Sequence, residues 1–443
     1  MIASRPRLAV ITPVYFSPSH SDVIVSRWLE PLPTDKQFGW PSAGHDKPRT
    51  EIASLYIAQF PENDIGRETA AKYHVPLYSS IRDALTLSTD KLAVDGVLLI
   101  GEHGDYPANE WGQKMYPRRE FFDEIVQVFR DSGRSVPVFS DKHLSYDDDS
   151  AIHMVNTAKE IGFPLMGGSS IPIRGASESQ KLPKNPALQE AVGIFYSGME
   201  PYGYHSIAFM ESIVAGRQGG ESGIESVTAY AGDSFWWAAK EGIWSADLFE
   251  QALEAIPDPM PGNWRDNLTV PMLSHVESIV AQLSHGKKSK ESKWPSQLFV
   301  EELASVPNST PDGCHDELTA PKLPQPFHKW PAAYCFTHRD GFRSTHINLN
   351  GHIKGIAMAM QEKDGTITAT RSKAANNSKV LFYPHFAMFN ARIEEFMLTG
   401  NTPYPVEHYL LTTLAISAGM RALAQPGKPL LTPQIDIKYS TER

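Results

Sequence analysis

Asp95-Gly96-Val97-Leu98-Leu99-Ile100-Gly101 is a short, strongly apolar run that ends at a glycine, as a buried parallel strand does before its loop. Comparable runs lie on both sides of it in the chain, at residues 8–11, 52–57, 75–78, 136–139 and 164–166. Stretches with helical patterning separate them, among them 64–73, 118–132 and 148–161. Strands that alternate with helices at this spacing predict βαβ units and a parallel, doubly wound sheet.

The pattern changes after Gly167-Gly168, where the segments become longer. A chain of 443 residues is also too long for one ordinary domain. We therefore expect a Rossmann-like domain at residues 1–165, with an insertion at about 31–50, and a C-terminal α/β domain at 166–443. A stretch rich in Pro, Ser and Lys at about 284–331 is expected to be a polar insertion in the second domain.

Composition excludes several classes of protein. The chain is 41% hydrophobic and 21% charged, which argues against disorder, and its net charge of −10 offers no basic face for nucleic acid. The first apolar run has four residues, fewer than the ~7–15 of a signal peptide, and none approaches the ~20 of a membrane span. Two cysteines build no disulfide framework. We predict a cytoplasmic protein with a small-molecule substrate and neither a nucleic-acid nor a membrane partner.

Three polar loops follow strands of the predicted sheet. They are residues 101–107, 140–145 and 167–170. Ligands of open parallel sheets bind beyond the carboxyl ends of the strands, so we expect these loops to converge on one site.

The first two loops carry carboxylates and histidines that suit two kinds of chemistry. The set could bind Zn²⁺, Mn²⁺ or Fe²⁺ with open positions for substrate. It could equally provide general acids and bases, with the carboxylates orienting the imidazoles. A polar loop with structural hydrogen bonds only is the third interpretation. The candidate metal ligands are Glu102, His103, Asp105, Asp141 and His143.

Two further side chains are candidates for proton transfer. Lys142 can act as a base or as a clamp on an oxyanion, the alternative being a structural salt bridge. His205 precedes a helix-like run that begins at Ser206, and a helix N-terminus favours the neutral imidazole; a satisfied core histidine is the alternative. The predicted catalytic residues are Lys142, His143, His205 and His103, and the predicted substrate-binding residues are His20, Tyr106, Tyr116, Ser169, Ser170 and Tyr204.

The order of the elements and several short motifs resemble the glucose–fructose oxidoreductase/inositol dehydrogenase family (Gfo/Idh/MocA). In the family's G-x-G-x-x-G-x-x-H turn, this chain has Thr12, Val14 and Ser17 at the glycine positions and His20 at the histidine. Its Glu-Lys-Pro motif corresponds to Asp141-Lys142-His143, and its D-x-G-x-H motif to 201–205, with His205 kept. The acidic residue that follows the second strand has no counterpart in 58–60.

The resemblance implies a Rossmann-like domain followed by an α+β domain with an open, largely antiparallel sheet. That sheet would form a dimer or tetramer. It also implies NAD or NADP as cofactor, a sugar or polyol substrate, Lys142 near both, and His205 as the catalytic-type histidine.

The departures from the family motif change the predicted chemistry. Loss of three glycines and of the ribose acid removes the usual grip on a dinucleotide, which makes Thr12, Val14 and Ser17 doubtful cofactor ligands. We therefore favour non-redox acid/base chemistry, metal-assisted in one version, by a lyase, isomerase or hydrolase acting on a polar or carbonyl-bearing substrate. The alternatives are a divergent NAD(P)-dependent oxidoreductase acting on a sugar- or polyol-like substrate, and a non-catalytic binding protein.

Overall fold

The first sheet has six parallel strands in the order β3-β2-β1-β4-β5-β6. The computed structural model describes residues 5–42, 44–174, 176, 182–268, 331–373 and 383–441. The order reverses between β1 and β4, which is the switch point where ligands of such sheets bind. The Rossmann-like prediction is thereby confirmed. The strands are β1 Arg7–Thr12, β2 Glu51–Ile57, β3 Leu77–Tyr78, β4 Gly96–Leu99, β5 Val138–Ser140 and β6 Leu165–Met166.

Helices connect these strands as the sequence predicts. Their ends follow local rules: the Ser80 hydroxyl accepts a hydrogen bond from the Asp83 amide, and α4 and α5 end at Gly133 (φ 62°) and Gly162 (φ 81°) in the left-handed region. A π-helical stretch, Asp22–Ser26, runs into α1 Arg27–Leu29. The others are α2 Gly66–Lys72, α3 Ile81–Thr86, α4 Arg118–Ser132, α5 Asp148–Ile161 and α6 Ser170–Arg174.

The second sheet has seven strands in the order β12-β11-β7-β10-β9-β8-β13. The β7–β10 pair is parallel and the other pairs are antiparallel, so the predicted largely antiparallel sheet is confirmed. The strands are β7 Leu188–Phe195, β8 Ile224–Ala231, β9 Ala332–His338, β10 Arg343–Asn348, β11 Ala357–Glu362, β12 Ile367–Arg371 and β13 Leu430–Leu431.

Both faces of the second sheet are packed by helices of the same chain. Side chains alternate along the strands, so that Ala191 and Phe195 face one side and Val192 and Ile194 the other. The first side carries α7 Met199–Val214 and α12 Val406–Leu423; the second carries α8 Asp233–Lys240, α9 Ala246–Glu254 and α10 Trp264–Asn267. Aromatic residues of α8 and α9 therefore cover one face of the sheet to which the resemblance assigns the subunit contacts.

Helix α11, Pro384–Thr399, comes from the C-terminal part of the chain but packs on the first sheet. Ile393 and Met397 belong to the same apolar cluster as Leu8 and Leu98. Gly96 allows this approach, because a Cβ there would lie 2.6 Å from the Met397 sulfur. The boundary at residue 165 stays a prediction, and the predicted insertion at 284–331 lies, except for Pro331, outside the described residues.

The insertion after α1 is fastened to α11 by a buried carboxylate. Glu394, which is fully buried, accepts hydrogen bonds from the Arg49 amide (2.6 Å), the Thr50 amide (3.1 Å) and the Ser42 hydroxyl (2.8 Å). We expect Glu394→Ala to lower the free energy of unfolding by about 2–3 kcal/mol, because buried donors would lose their acceptor. Urea unfolding measures the change, with Glu254→Ala on the exposed face of α9 as control; equal stability of the two variants would contradict this role.

Among the described residues, no helix combines the length and the apolar character needed to cross a membrane.

Candidate active site at the carboxyl ends of β4, β5 and β6

The predicted polar loops do converge where β4, β5 and β6 end. The Lys142 amide donates to the Gly168 carbonyl (3.0 Å), and the Gly168 amide donates back to the Lys142 carbonyl (2.9 Å). This pairing ties the loop after β5 to the loop after β6. Lys142 (φ 60°) and His103 (φ 68°) both adopt the left-handed conformation, which is unfavourable for side chains with a Cβ and is concentrated at functional sites.

Glu102 is the centre of a buried charge cluster. Its Oε2 lies 3.3 Å from the Lys142 Nζ, and its Oε1 accepts a hydrogen bond from Arg118. All three side chains are almost fully buried. Burial alone would raise the pKa of Glu102, but the charges of Lys142 and Arg118 outweigh it and hold that pKa well below its usual range. Glu102 is therefore an ionised partner of two cations.

Arg118 was not among the predicted site residues. It is the first residue of α4 and crosses directly over Gly101, where a Cβ would lie 2.4 Å from the Arg118 Cγ. Glycine at 101 is the one local signal of this crossing, because it marks a place where another group approaches the backbone closely. The pairing itself cannot be predicted from the sequence, because Glu102 and Arg118 are 16 positions apart.

His103 and His20 pack together beside Glu102. The rings lie edge to face, with centroids 5.2 Å apart. His20 Nδ1 is 2.5 Å from Asp141 Oδ2, whereas neither ring nitrogen of His103 has a hydrogen-bond partner among the described residues. Burial, with the nearby His20, lowers the pKa of His103 to about 3. His103 is therefore a buried, neutral imidazole whose donor and acceptor nitrogens are both without a partner among the described residues.

His205 lies on α7, but not at its beginning. Helix α7 starts at Met199, so the prediction that a helix-like run begins at Ser206 was wrong. The pKa of His205 is well below its usual value because of burial first and the Lys142 charge second, rather than because of a helix N-terminus. Its Nδ1 is 2.6 Å from the Ser169 hydroxyl, which also accepts a hydrogen bond from the Ile171 amide (3.0 Å).

His143 points toward α7. Its Nε2 lies 3.0 Å from Glu200 Oε1, and its ring packs 5.4 Å from the fully buried Tyr204 ring. Glu200, another partner that the sequence did not suggest, joins His143 to the helix that carries His205. Both residues are less than a tenth exposed, which makes this pair a link between the two parts of the site.

The remaining predicted substrate-binding residues lie at the edges. Tyr106 and Tyr116 pack edge to face with ring centroids 6.0 Å apart, and burial raises the pKa of Tyr106 to about 12. Ser170 begins α6 directly after Ser169. Whether any of these groups touches a substrate stays a prediction.

The predicted metal set does not come together. Asp105 is exposed beyond Gly104, and His143 pairs with Glu200. Within the described part of the chain, His20, Glu102 and His103 place one ligand atom each within 4.8 Å of one another. Both oxygens of Glu102 are engaged by cations, which compete with any metal for that carboxylate. Sequence spacing could not reveal this, because Arg118 and Glu200 come from helices.

The first loop does not fit the usual dinucleotide grip. The Ala58 amide donates to the Thr12 carbonyl (3.0 Å) and the Gln59 amide to the Pro13 carbonyl (2.8 Å). The chain after β1 therefore continues alongside the chain after β2, whereas a glycine turn would direct it away from β2. Thr12 and Ser21 hydroxyls hold the Val14 carbonyl at 3.0 and 2.8 Å. Residues 58–60 carry no acid for a ribose. The carbonyl groups of Thr12, Pro13 and Val14, in the stretch where a pyrophosphate would lie, are thus all bonded within the protein.

The other strand ends carry a cluster of polar groups. Lys142 and Ser169 lie in the loops after β5 and β6, and Ser169 contacts His205 on α7. A cavity of about 420 Å³ lies elsewhere, between the 38–49 segment and α11, with Arg49, Met388 and Arg392 in its lining. None of the residues around Glu102 lines this cavity, so the candidate site is the cluster at the carboxyl ends of β4, β5 and β6.

Comparison with known proteins identifies the fold. The sequence matches no model of a known family and no curated protein. Among solved structures, similarity extends over nearly the whole chain. GenD2 from gentamicin A biosynthesis, in complex with NAD, has a TM-score of 0.51 and 10% identity, with 98% of this chain and 97% of that chain covered. A probable dehydrogenase from Thermotoga maritima (0.50, 11%) and a myo-inositol 2-dehydrogenase from Lactobacillus plantarum (0.50, 9%) each have 97% of this chain and 99% of their own covered.

These comparisons contradict two predictions from the sequence. The preference for non-redox lyase, isomerase or hydrolase chemistry was wrong, because the solved structures that share this fold are dehydrogenases. The preference for a divalent metal over NAD(P) was wrong for the same reason, since one of them carries NAD. The family resemblance is confirmed at the level of architecture: the chain has the two-domain fold of the Gfo/Idh/MocA dehydrogenases.

Proposed function

We propose that this chain is an oxidoreductase that uses a nicotinamide cofactor to interconvert a hydroxyl and a carbonyl group on a sugar- or polyol-like substrate. The observation that carries the proposal is the Lys142 amino group. It is buried beside Glu102, tied through its backbone to Gly168, and close enough to His205 to lower the pKa of that imidazole. A cation and a neutral imidazole therefore lie close together beyond β5 and β6, which supports the proposal.

The neutral histidines suit a substrate with several hydroxyl groups. A hydroxyl both donates and accepts hydrogen bonds, and so does a neutral imidazole. His103 offers two ring nitrogens without partners, while Glu102 already binds the two cations nearest to it. The cluster therefore matches uncharged oxygens better than a carboxylate or phosphate, which would call for unpaired cations.

The chain's own residues can handle the proton of the reacting hydroxyl. With the Ser169 hydroxyl accepting from His205 Nδ1–H, the second ring nitrogen carries a lone pair and takes the hydroxyl proton. Lys142 then donates to the developing oxyanion, and Glu102 keeps its ammonium group in place. Because the first loop does not fit the usual dinucleotide grip, we assign no step to the cofactor's phosphates or adenosine.

We expect His205→Gln to lower kcat/KM by about 100- to 10,000-fold, because general base catalysis contributes that much. In the parent chain the depressed pKa keeps His205 unprotonated in mild acid. The acid limb of kcat/KM should therefore lie below pH 6.5, the ordinary histidine value. A pH–rate profile measures both effects. An acid limb above that value, or full activity of the variant, would exclude His205 as the base.

The same proposal includes a cytoplasmic location, an enzyme with a small-molecule substrate, and a homo-oligomer. Since α8 and α9 cover the second face of the large sheet, a dimer or tetramer would use the outer surface of those helices. Trp237 on α8, which is 52% exposed, is the large apolar side chain available there.

A further inference from the structure

A pair of hydrogen bonds closes the adenosine end of the crevice. The Gln59 side chain donates from Nε2 to the Asp105 carbonyl (3.1 Å), and its Oε1 accepts from the Asp105 amide (2.8 Å). Gln59 follows β2 and Asp105 follows β4, the two strands that flank β1. The side chain therefore spans the end of β1 from one loop to the other. We name this pair of hydrogen bonds the Gln59–Asp105 bridge.

The bridge occupies the position that an adenosine ribose needs. In dinucleotide-binding sheets the acidic residue that holds the ribose follows the second strand, and the pyrophosphate lies over the turn after the first. Here Gln59 stands just after the second strand and is turned toward the β4 loop. Its amide donates one hydrogen bond to Asp105 and accepts another from it, so the side chain is held across the end of β1.

The β4 loop is shaped to make the bridge. Gly104 adopts φ 104°, and a Cβ there would lie 2.7 Å from Tyr106 Cε2 and 3.1 Å from Gln59 Oε1. A side chain at 104 would push the loop off Gln59, and its backbone conformation disfavours any residue but glycine. The bridge thus depends on two features: the lack of a side chain at Gly104 and the amide group of Gln59.

We propose that the Gln59–Asp105 bridge excludes the adenosine half of a dinucleotide, so that this chain holds its cofactor through the nicotinamide half alone. The inference rests on the proposed function, because it concerns the cofactor of that reaction. The bridge consists of two partly exposed hydrogen bonds, so breaking it should be worth about tenfold in affinity for an adenosine-containing ligand.

ADP-ribose, which lacks nicotinamide, tests the bridge by itself. We expect weak binding to the parent chain by titration calorimetry, binding about tenfold tighter to Gln59→Ala, and a gain in the same direction for Gly104→Ala. The control is Gln127→Ala, which removes an exposed glutamine bonded to Asp131 on α4 and should bind like the parent. If Gln59→Ala binds ADP-ribose no more tightly than the parent does, or if the parent itself binds it tightly, the bridge does not exclude adenosine.

Reduced nicotinamide mononucleotide separates the bridge from the proposed function. We expect the parent chain to bind it within about threefold of NADH, because the excluded half adds no affinity. If the parent binds NADH far more tightly than the mononucleotide, the proposed exclusion by the bridge is contradicted, while the proposed oxidoreductase function is not. A gain of ADP-ribose binding in Gln59→Ala, with no binding of either nicotinamide compound to any variant, supports the bridge and contradicts the oxidoreductase.

Discussion

Lys142→Met should lower kcat/KM for hydroxyl oxidation by about 100- to 1,000-fold while the protein stays folded. The methionine keeps the length of the side chain but removes the donor that stabilises the developing oxyanion. Glu102 keeps Arg118 as its counter-charge, so no buried carboxylate is left without a partner. Steady-state kinetics with the preferred polyol measure the loss.

The matched control for Lys142→Met is Lys159→Met. Lys159 forms an exposed ion pair with Glu407 at 2.8 Å, far from the strand ends, and its loss should leave kcat/KM unchanged. Equal activities of the two variants would remove Lys142 from the reaction and leave its pairing with Glu102 as a structural feature.

Glu102→Gln should destabilise the fold more than Arg118→Met does. Removing the carboxylate leaves Lys142 and Arg118, both less than a tenth exposed, close together without a counter-charge, which costs about 3–5 kcal/mol. Removing Arg118 still leaves one cation facing one carboxylate, so about 1–3 kcal/mol is expected. Urea unfolding of both variants, compared with the parent, measures the order.

The exposed pair of Lys72 and Glu30 provides the reference for this comparison. Its atoms lie 2.9 Å apart, but both side chains are about half exposed, and Lys72→Met should change the free energy of unfolding by no more than about 0.5 kcal/mol. Arg118→Met costing more than Glu102→Gln would mean that Glu102 is not the ion that holds the cluster together.

Much of the fold could be predicted because it follows from local patterns. The apolar run at 95–101 and its counterparts predict six strands, and the helices between them make a parallel sheet the natural arrangement. The convergence of Glu102, Lys142 and Ser169 also follows, since loops after neighbouring parallel strands share one edge of the sheet.

What the sequence did not reveal depends on side chains that meet across long separations. Arg118 on α4 pairs with Glu102, and Glu200 on α7 lies 3.0 Å from His143, so both contacts engage members of the predicted metal set. Helix α7 begins at Met199, ahead of Pro201 and Gly203, two residue types that usually favour turns; Pro is nevertheless tolerated in the first turn of a helix.

The inference from the glycine loss led to the wrong reaction class and the wrong cofactor. Without the glycines, the Ala58 and Gln59 amides bond to the Thr12 and Pro13 carbonyls. That local change did not determine the reaction, because a motif in one loop does not describe the groups at the other strand ends. The structures that share the fold over nearly the whole chain include dehydrogenases.

The most direct test is the absorbance of reduced nicotinamide formed by the purified chain from oxidised cofactor and a panel of polyols and sugars. NAD, NADP and nicotinamide mononucleotide are each supplied in turn, with Lys142→Met in parallel. The account predicts that at least one substrate yields reduced nicotinamide with the parent chain and at least about 100-fold less with the variant. If folded parent protein forms no reduced nicotinamide with any combination of cofactor and substrate, the proposed oxidoreductase function is contradicted.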